Sequence, residues 1–443
     1  MRFRHSTVSF AVAGALAACA TSGTDNLHGP AFGEEGGAGK EGGAGGGADA
    51  TPETSSPSDA GADRAMVDAT DESAPTETGA SVDAASDTGT GDTGVPETGT
   101  TCTSSMAILA AGASSLAEAV YGHGQWSTAS VASGGASAAP TLIPFGTGYL
   151  ASFVGTGAVN DLPLKWTAYT GSWTAPAALG AALGQGTPAV AAIGTTGHVV
   201  YWGSDSKFYH GTYSGSAWDA ASDPVQASGA AQSFGPSAPA AAATGTTLVA
   251  VQSGSNSVVY NQAWTASWQA ATALAGSSVV SSLSPAITAM NGGAAELMEV
   301  FVHAGDAGSY YLQYATRTGG TWSAPANVYA QGTTIAYAGT TPSLAALPNG
   351  GAILAWQGSS PAYPYVSTYS AAGGWTAPVA ASTDTLLSPP AVAQGVCGAS
   401  AALAYVKTGG AVEVATSTGG TWGTPEAIAG ATGMQWVAVA AVP

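Results

Sequence analysis

Four side chains recur at one place in successive repeats of the chain, and their chemical types suit a ligand rich in hydroxyl groups. Each stands three residues before the aromatic residue that ends an aromatic-rich segment: Trp166, His210, Asn261 and Tyr311. An aromatic ring stacks on the apolar face of a sugar, while an amide or imidazole pairs with its hydroxyls. The pattern predicts a ligand site built from these residues. The alternative is that they pack between repeats as part of the core, which is the commoner use of such residues.

The other polar residues form no recognisable catalytic or metal-binding pattern. Glu296 and Glu299 are an odd number of residues apart, so a regular strand places them on opposite faces, whereas a glycosidase needs two carboxylates that face each other. The histidines considered as metal ligands are scattered over the repeats at no ligand spacing: His123, His198, His210 and His303. We therefore predict no catalytic residue, no metal site and no cofactor.

A recurring tryptophan defines the elements that would position these side chains. Seven such residues occur at intervals of 45 to 54 residues: Trp126, Trp173, Trp218, Trp268, Trp322, Trp375 and Trp422. Each interval contains four short runs of alternating apolar, β-branched and aromatic residues, separated by Gly or Asn turns, as expected for strands. Four strands in a repeat of this length predict the blade of a β-propeller.

The number of strands predicts an all-β, seven-bladed propeller with four strands in each blade. Six full repeats begin at Pro140 and end after Trp422. Residues 106–131 hold only three strands and residues 435–442 only one, so we expect the two chain ends to build the seventh blade together. Closing the ring in this way removes open sheet edges. Six blades with irregular ends is the alternative.

The repeat endings resemble two known groups of propellers. The segment Gly-Gly-Thr-Trp-Ser-Ala-Pro at 319–325 is similar to the endings in sialidase-type (BNR-like) propellers and in bacterial and fungal fucose-binding propeller lectins. The resemblance covers 102–443 through repeat style only, and no complete Asp-box is present. A sialidase of this type implies three arginines that clamp the substrate carboxylate, but Arg317 is the one arginine in 102–443. The resemblance therefore implies sugar binding rather than sialidase activity.

The N-terminal part of the chain predicts export and a lipid anchor. Residues 1–19 read as a signal peptide, with a basic start, a short apolar run and Leu16-Ala17-Ala18-Cys19, which resembles a bacterial lipobox. The lipobox implies lipidation of Cys19, with an ordinary signal peptide as the alternative. Residues 20–101 predict a disordered acidic linker, because large apolar residues are almost absent and charges of one sign repel. The sequence has no basic patch that could bind nucleic acid, so nucleic acid is not an expected partner. We expect outer-membrane attachment, with the face of the membrane left open.

The two remaining cysteines, Cys102 and Cys397, are predicted to be neighbours in the ring and to form a disulfide in an oxidising compartment. Two unpaired buried thiols are the alternative.

Taken together, these features predict a membrane-tethered, monomeric propeller that binds carbohydrate without catalysis. Its expected partner is a glycan or an envelope protein. A structural or protein-interaction propeller is the alternative function, and a sialidase-type glycoside hydrolase is the least favoured.

Overall fold

The computed structural model describes residues 104–157, 162–205, 207–219, 237–305, 310–329 and 340–442, together with the backbone of 223–224. The predicted signal peptide with Cys19, the predicted linker and Cys102 lie outside these residues. The described residues belong to one of two compact units of the chain, Gly91–Pro443. They form strands and turns, so the all-β prediction is confirmed for them. In this described part, no helix has the length and apolar character needed to cross a membrane.

Fifteen strands make up the first part of the ring. In chain order they are β1 (Ser105–Ala111), β2 (Ser115–Gly122), β3 (Gln125–Trp126), β4 (Ser130–Ser133), β5 (Thr141–Phe145), β6 (Gly148–Val154), β7 (Pro163–Tyr169), β8 (Ala177–Ile193), β9 (Thr196–Gly203), β10 (Phe208–Tyr213), β11 (Asp223–Pro224), β12 (Ala240–Thr244), β13 (Thr247–Ser253), β14 (Val259–Trp264) and β15 (Thr272–Ala273).

The second part of the ring continues the same pattern of short strands. These are β16 (Ala286–Ala289), β17 (Leu297–Ala304), β18 (Tyr310–Thr318), β19 (Thr321–Trp322), β20 (Ala326–Asn327), β21 (Ser343–Leu347), β22 (Gly351–Gln357), β23 (Pro364–Ser370), β24 (Gly374–Trp375), β25 (Val379–Ala380), β26 (Ala391–Gln394), β27 (Ala401–Val406), β28 (Val412–Thr418), β29 (Thr421–Trp422), β30 (Glu426–Ala427) and β31 (Trp436–Val442).

The strands described above form six antiparallel sheets, which we number along the chain. Sheet 1 has the order β3-β2-β1-β31, with β4 also on β2, and sheet 2 runs from β5 to β11. Sheet 3 contains β12 to β15, and sheet 4 contains β16 to β20. Sheet 5 contains β21 to β25, and sheet 6 contains β26 to β30.

The predicted seven-bladed ring is wrong, because the described strands form six sheets rather than seven. The difference arises at β8, a strand of 17 residues whose first part pairs with β7 and whose second part pairs with β9. The fourth strand of one repeat therefore continues into the first strand of the next, which merges two repeats into one seven-stranded sheet. The seven sequence repeats are thus housed in six sheets.

Each sheet packs on the next, and sheet 6 packs on sheet 1, so the sheets form a closed ring. Buried apolar residues from neighbouring sheets meet in each gap, as for Phe153 with Leu109 and Trp356 with Val302. The same holds between the last sheet and the first, where Ala404 and Ile108 share one cluster. The ring closes through the chain ends as well: all seven residues of β1 pair with β31, from Ser105↔Val442 to Ala111↔Trp436.

The Gly-Gly turns explain how the repeated tryptophans are placed. Thr318 and Thr321 pair across a two-residue turn, Gly319-Gly320, and both glycines have positive φ values of 56° and 80°. A turn with positive φ at both central positions matches the twist of an antiparallel pair and strongly favours Gly. The turn therefore places Trp322 opposite Arg317, on the end of the preceding strand.

Candidate functional site

One position on the third strand of each repeat faces the neighbouring repeat, and the pairing of the tryptophans identifies it. Trp173 pairs with Tyr169, for example, and Trp322 pairs with Arg317. Three residues before these paired positions, around the ring, stand Glu118, Trp166, His210, Asn261, Tyr314, Val366 and Val414. We call this the aligned position.

Three of the four predicted ligand residues share the aligned position, and Tyr311 does not. The sequence pattern makes Tyr314 the last aromatic residue of its segment, which puts Tyr311 three residues before it. However, β18 continues to Thr318, and Arg317 is the residue that faces the tryptophan. Tyr314 therefore occupies the position, while Tyr311 lies beside His303 with their ring centroids 4.5 Å apart.

Trp166 packs between two repeats of sheet 2. Its ring lies 5.1 Å from that of Tyr213 and 6.5 Å from that of Trp218, both measured between centroids. It belongs to the periphery of a buried apolar cluster. Tyr314 is placed in the same way against Tyr369 and Trp375 of the next sheet. These contacts describe core packing at two of the aligned positions.

His210 instead lines a pocket of about 560 Å³ between the end of sheet 2 and sheet 3, which we call the His groove. Its walls combine an aromatic ring, two imidazoles, a carboxylate and several threonine hydroxyls. The lining residues are Ile193, Thr196, His198, His210, Thr212, Asp219, Thr246, Trp264, Thr265 and Ala266. The strands β9, β10 and β14 supply His198, His210 and Trp264 respectively.

The two imidazoles of the His groove are in direct contact. His198 Nδ1 lies 3.0 Å from His210 Nε2, and both side chains are buried. The ring of Trp264 lies 5.0 Å from His198 and 5.2 Å from His210, and Trp268 meets His210 edge-on. Burial lowers the pKa of His198, and burial together with the nearby His198 lowers the pKa of His210 to about 4. Both rings are therefore neutral at pH 7.

Asp219 supplies the charge of the His groove. Its carboxylate accepts hydrogen bonds from the Thr212 backbone N–H at 2.6 Å and from the Thr212 hydroxyl at 2.7 Å. These two bonds fix the carboxylate at the groove wall. Among the described residues that line this groove there is no lysine or arginine. The groove thus offers acceptors, hydroxyls and an aromatic face, with a negative charge at its edge.

Asn261 lines a second pocket of about 460 Å³ on the other side of sheet 3, which we call the Arg groove. Arg317, Trp322, Gln262 and Gln269 are among its other lining residues. The Arg317 Nη1 group donates to Glu296 Oε2 at 3.3 Å. The guanidinium is therefore already paired with a carboxylate from its own sheet.

Behind Asn261 lies Glu299, whose side chain is fully buried. Burial raises its pKa to about 8, and Asn261, its polar neighbour, lowers it somewhat. Neither the Glu299 carboxyl oxygens nor the Asn261 amide atoms have a partner at good hydrogen-bonding geometry. Because an unpaired buried charge is very costly, Glu299 is held in its neutral form at pH 7.

The sequence prediction missed His198, Asp219 and Trp264. It treated His198 and His210 as scattered, whereas their strands are adjacent and the register places His198 opposite Thr212 and His210 opposite Val200. The two histidines are thus diagonal neighbours on one face of a hairpin. A signal existed in the sequence, because the Gly and Asp residues between Trp202 and Phe208 mark the turn from which this register follows.

The described histidines, cysteines and carboxylates form no cluster of the kind that holds a metal ion. Groups of three or more His, Cys, Asp or Glu side chains able to hold a metal ion are absent from that part of the chain. Glu296 and Glu299 do not face each other: one pairs with Arg317 and the other is buried towards Asn261.

Cys397 is disulfide-bonded, and its sulfur lies 3.8 Å from the carbonyl oxygen of Ser104. Ser104 is two residues from Cys102, which is itself outside the described residues. Pairing of Cys397 with Cys102 remains a prediction.

Comparison with known proteins adds a shared fold. No protein-family model matches the chain, and no curated protein does. Among solved structures, the BP39L lectin from Burkholderia pseudomallei is similar with a TM-score of 0.55 at 15% identity, covering 73% of this chain and 95% of that one. AofleA from Arthrobotrys oligospora matches with a TM-score of 0.48 at 10% identity, over 68% of this chain and 89% of its own.

A third structure is the lectin from Aleuria aurantia, described as a six-bladed β-propeller with a novel fucose recognition mode. It has a TM-score of 0.43 at 14% identity, over 67% of this chain and 96% of its own. Of these three structures, the BP39L lectin alone exceeds a TM-score of 0.5, and at 15% identity it shows a common fold and nothing more.

Proposed function

We propose that the ring is a carbohydrate-binding, lectin-like module that acts without catalysis, and that the His groove is its principal site. The observation that carries this is the combination of Trp264 with hydroxyl, imidazole and carboxylate groups in one pocket of about 560 Å³. An indole face covers the apolar side of a pyranose, and fixed acceptors such as Asp219 orient its hydroxyls. The lectin identity of the BP39L structure supports the proposal by analogy of fold.

The charges of the His groove favour a neutral sugar. Asp219 lines the groove, and none of the other described lining residues is a lysine or arginine, so a ligand carboxylate would be repelled. At pH 7 both imidazoles are neutral and give no compensating positive charge. We therefore assign neutral glycans, rather than sialic or uronic acids, as the ligand class.

The proposed cellular setting comes from the sequence alone. Lipidation of Cys19 would attach the chain to the outer membrane, and the acidic segment 20–101 would hold the ring away from the lipid surface. We propose a monomer, because the outer strands of the described sheets are short and offer little edge for a second copy to pair with.

A glycan array tests the function directly with the purified full chain at pH 7. We expect neutral glycans to bind and acidic ones to be weaker. Trp264→Ala should reduce binding at least tenfold, because it removes the stacking surface. The matched control is Tyr310→Ala, which removes an exposed aromatic ring outside the groove and should bind like the wild type. A folded wild-type protein that binds no glycan, or equal binding by both variants, would refute the proposal.

A structural or protein-interaction propeller is the second candidate, and one observation favours it. Val366 and Val414 occupy the aligned position in sheets 5 and 6 and are buried in apolar clusters. The ring therefore does not repeat one binding site around its axis. If no glycan on the array binds, crosslinking to envelope proteins tests this second function. An envelope protein that is recovered with the wild type, and is lost when the exposed residue Val131 or Leu387 is substituted, would support it.

A further inference from the structure

The contact between His198 and His210 limits how many protons the two imidazole rings can carry. Two neutral imidazoles at 3.0 Å share one hydrogen, donated by one ring nitrogen to the other. A first added proton keeps this arrangement, because the charged ring donates to the neutral one. A second added proton places hydrogens on both facing nitrogens, and the contact must break. The pair can thus exist in its present geometry only while at least one ring is neutral.

The surroundings of the pair oppose its charging. His198 is 2% exposed and His210 is 7% exposed, which leaves little room to hydrate an imidazolium. From sheet 3 the pair meets Trp264 and Trp268, which are not titratable. From its own sheet it meets Asp219, and Asp223 is paired with His210 in backbone register. Both Asp219 oxygens already accept hydrogen bonds from Thr212, which hold the carboxylate in place. Asp219 therefore attracts a charged imidazole without moving closer to it.

We propose that protonation of the His198–His210 pair releases the ligand of the His groove. The groove binds a neutral ligand at pH 7 and loses affinity for it in acid. This inference rests on the proposed function. A bound sugar displaces the water that a charged imidazole needs, so ligand and proton compete for the groove. By linkage, a ligand that requires one proton fewer loses affinity about tenfold for each pH unit below the first titration of the pair.

The sign of the effect follows from the direction of the pKa shifts. Burial lowers the pKa of both rings, and His198 lowers that of His210 further, to about 4. The pair is therefore neutral above the ordinary histidine range and takes up protons one after the other as the pH falls below it. Affinity should be constant between pH 8 and pH 7 and should decrease as the pH falls towards 4.

The test combines affinity with a direct measurement of the protons. Calorimetry measures the binding of neutral methyl glycosides of L-fucose, D-galactose and D-mannose to the full chain from pH 8 to pH 4. Nitrogen-15 NMR of the histidine rings follows their titration over the same range. The variants are His198→Asn, which removes one member of the pair, and His303→Gln, which removes a histidine outside the groove. Circular dichroism at each pH checks that the chain is folded.

We expect wild type and His303→Gln to lose affinity for the glycosides steeply as the pH falls. His198→Asn should lose affinity over a narrower pH range, because only one histidine of the pair is left to titrate. In His198→Asn, His210 should titrate at higher pH than in the wild type, because its charged neighbour is gone. Binding at pH 7 that stays constant down to pH 4, or an unchanged His210 titration in His198→Asn, overturns the inference alone. Absence of binding by every glycoside and by the array at pH 7 overturns the proposed function together with it.

Discussion

The His groove and the Arg groove lie on the two sides of sheet 3, at equivalent places, yet their buried polar groups are satisfied differently. In the first, His210 at the aligned position contacts His198 from the neighbouring strand of its own sheet. In the second, Asn261 at the same position has Glu299 of the next sheet as its polar neighbour, without a well-formed hydrogen bond. A partner within a sheet is placed by backbone register, whereas a partner across the gap depends on how two sheets pack.

Equal positions in a repeat therefore need not have equal functions. A satisfied polar pair beside an aromatic ring and an open pocket is suited to binding. A buried carboxyl without a good partner lowers stability, since each unsatisfied group costs on the order of 1–3 kcal/mol. Substitutions in the two grooves should therefore affect different properties of the protein.

The largest effect is expected at Glu299. Its pKa is raised from 4.5 in the unfolded chain to about 8 in the folded one. The unfolded chain ionises first, so the free energy of unfolding should fall by about 1.4 kcal/mol per pH unit between roughly pH 5 and pH 8. Glu299→Gln cannot ionise and should gain stability over the wild type as the pH rises through this window. Urea unfolding at pH 5, 6.5 and 8 measures the difference.

The matched control for this comparison is Glu426→Gln, which alters an exposed carboxyl and should follow the wild type at every pH. A wild-type stability that is constant from pH 5 to pH 8 would show that Glu299 is not held neutral.

A smaller effect of the same kind is expected at Glu118, the aligned position of sheet 1. Burial raises its pKa to about 7. The free energy of unfolding should therefore fall between about pH 4.5 and pH 7, and Glu118 should cause no further change above that range. Glu118→Gln should therefore gain over the wild type in a window that ends about one pH unit earlier than for Glu299→Gln. The same urea series decides this, and coincident windows would contradict the assigned difference in environment.

The smallest effect is expected at Arg317. Its pair with Glu296 is partly exposed, with 15% and 36% of the two side chains accessible, and such pairs contribute about 1 kcal/mol or less. Arg317→Ala should lower the free energy of unfolding by no more than this amount and leave glycan binding in the His groove unchanged. A large loss of binding in Arg317→Ala would move the principal site to the Arg groove.

The repeat style of the chain was sufficient to predict that the described residues form short antiparallel strands grouped into successive sheets. It was insufficient for the number of sheets, because strand counting from patterns assumes a break between repeats, and β8 runs through that break. Trp166 illustrates the same limit at the level of a site: its type suits sugar stacking, but neighbouring Tyr213 and Trp218 cover it. Glu413 is a further residue whose environment depends on the fold, because it is buried and bonded to Lys407.

Periodicity, turn glycines and the recurring tryptophans are local features, so the sequence by itself determined that this chain forms short antiparallel strands arranged as repeats. The aligned position also follows from local register, apart from the shift at Tyr311. Which aligned residue faces a pocket was decided by the tertiary structure alone. The reason is that a groove exists only where two sheets leave a space between residues far apart in sequence, as at His210 and Trp264.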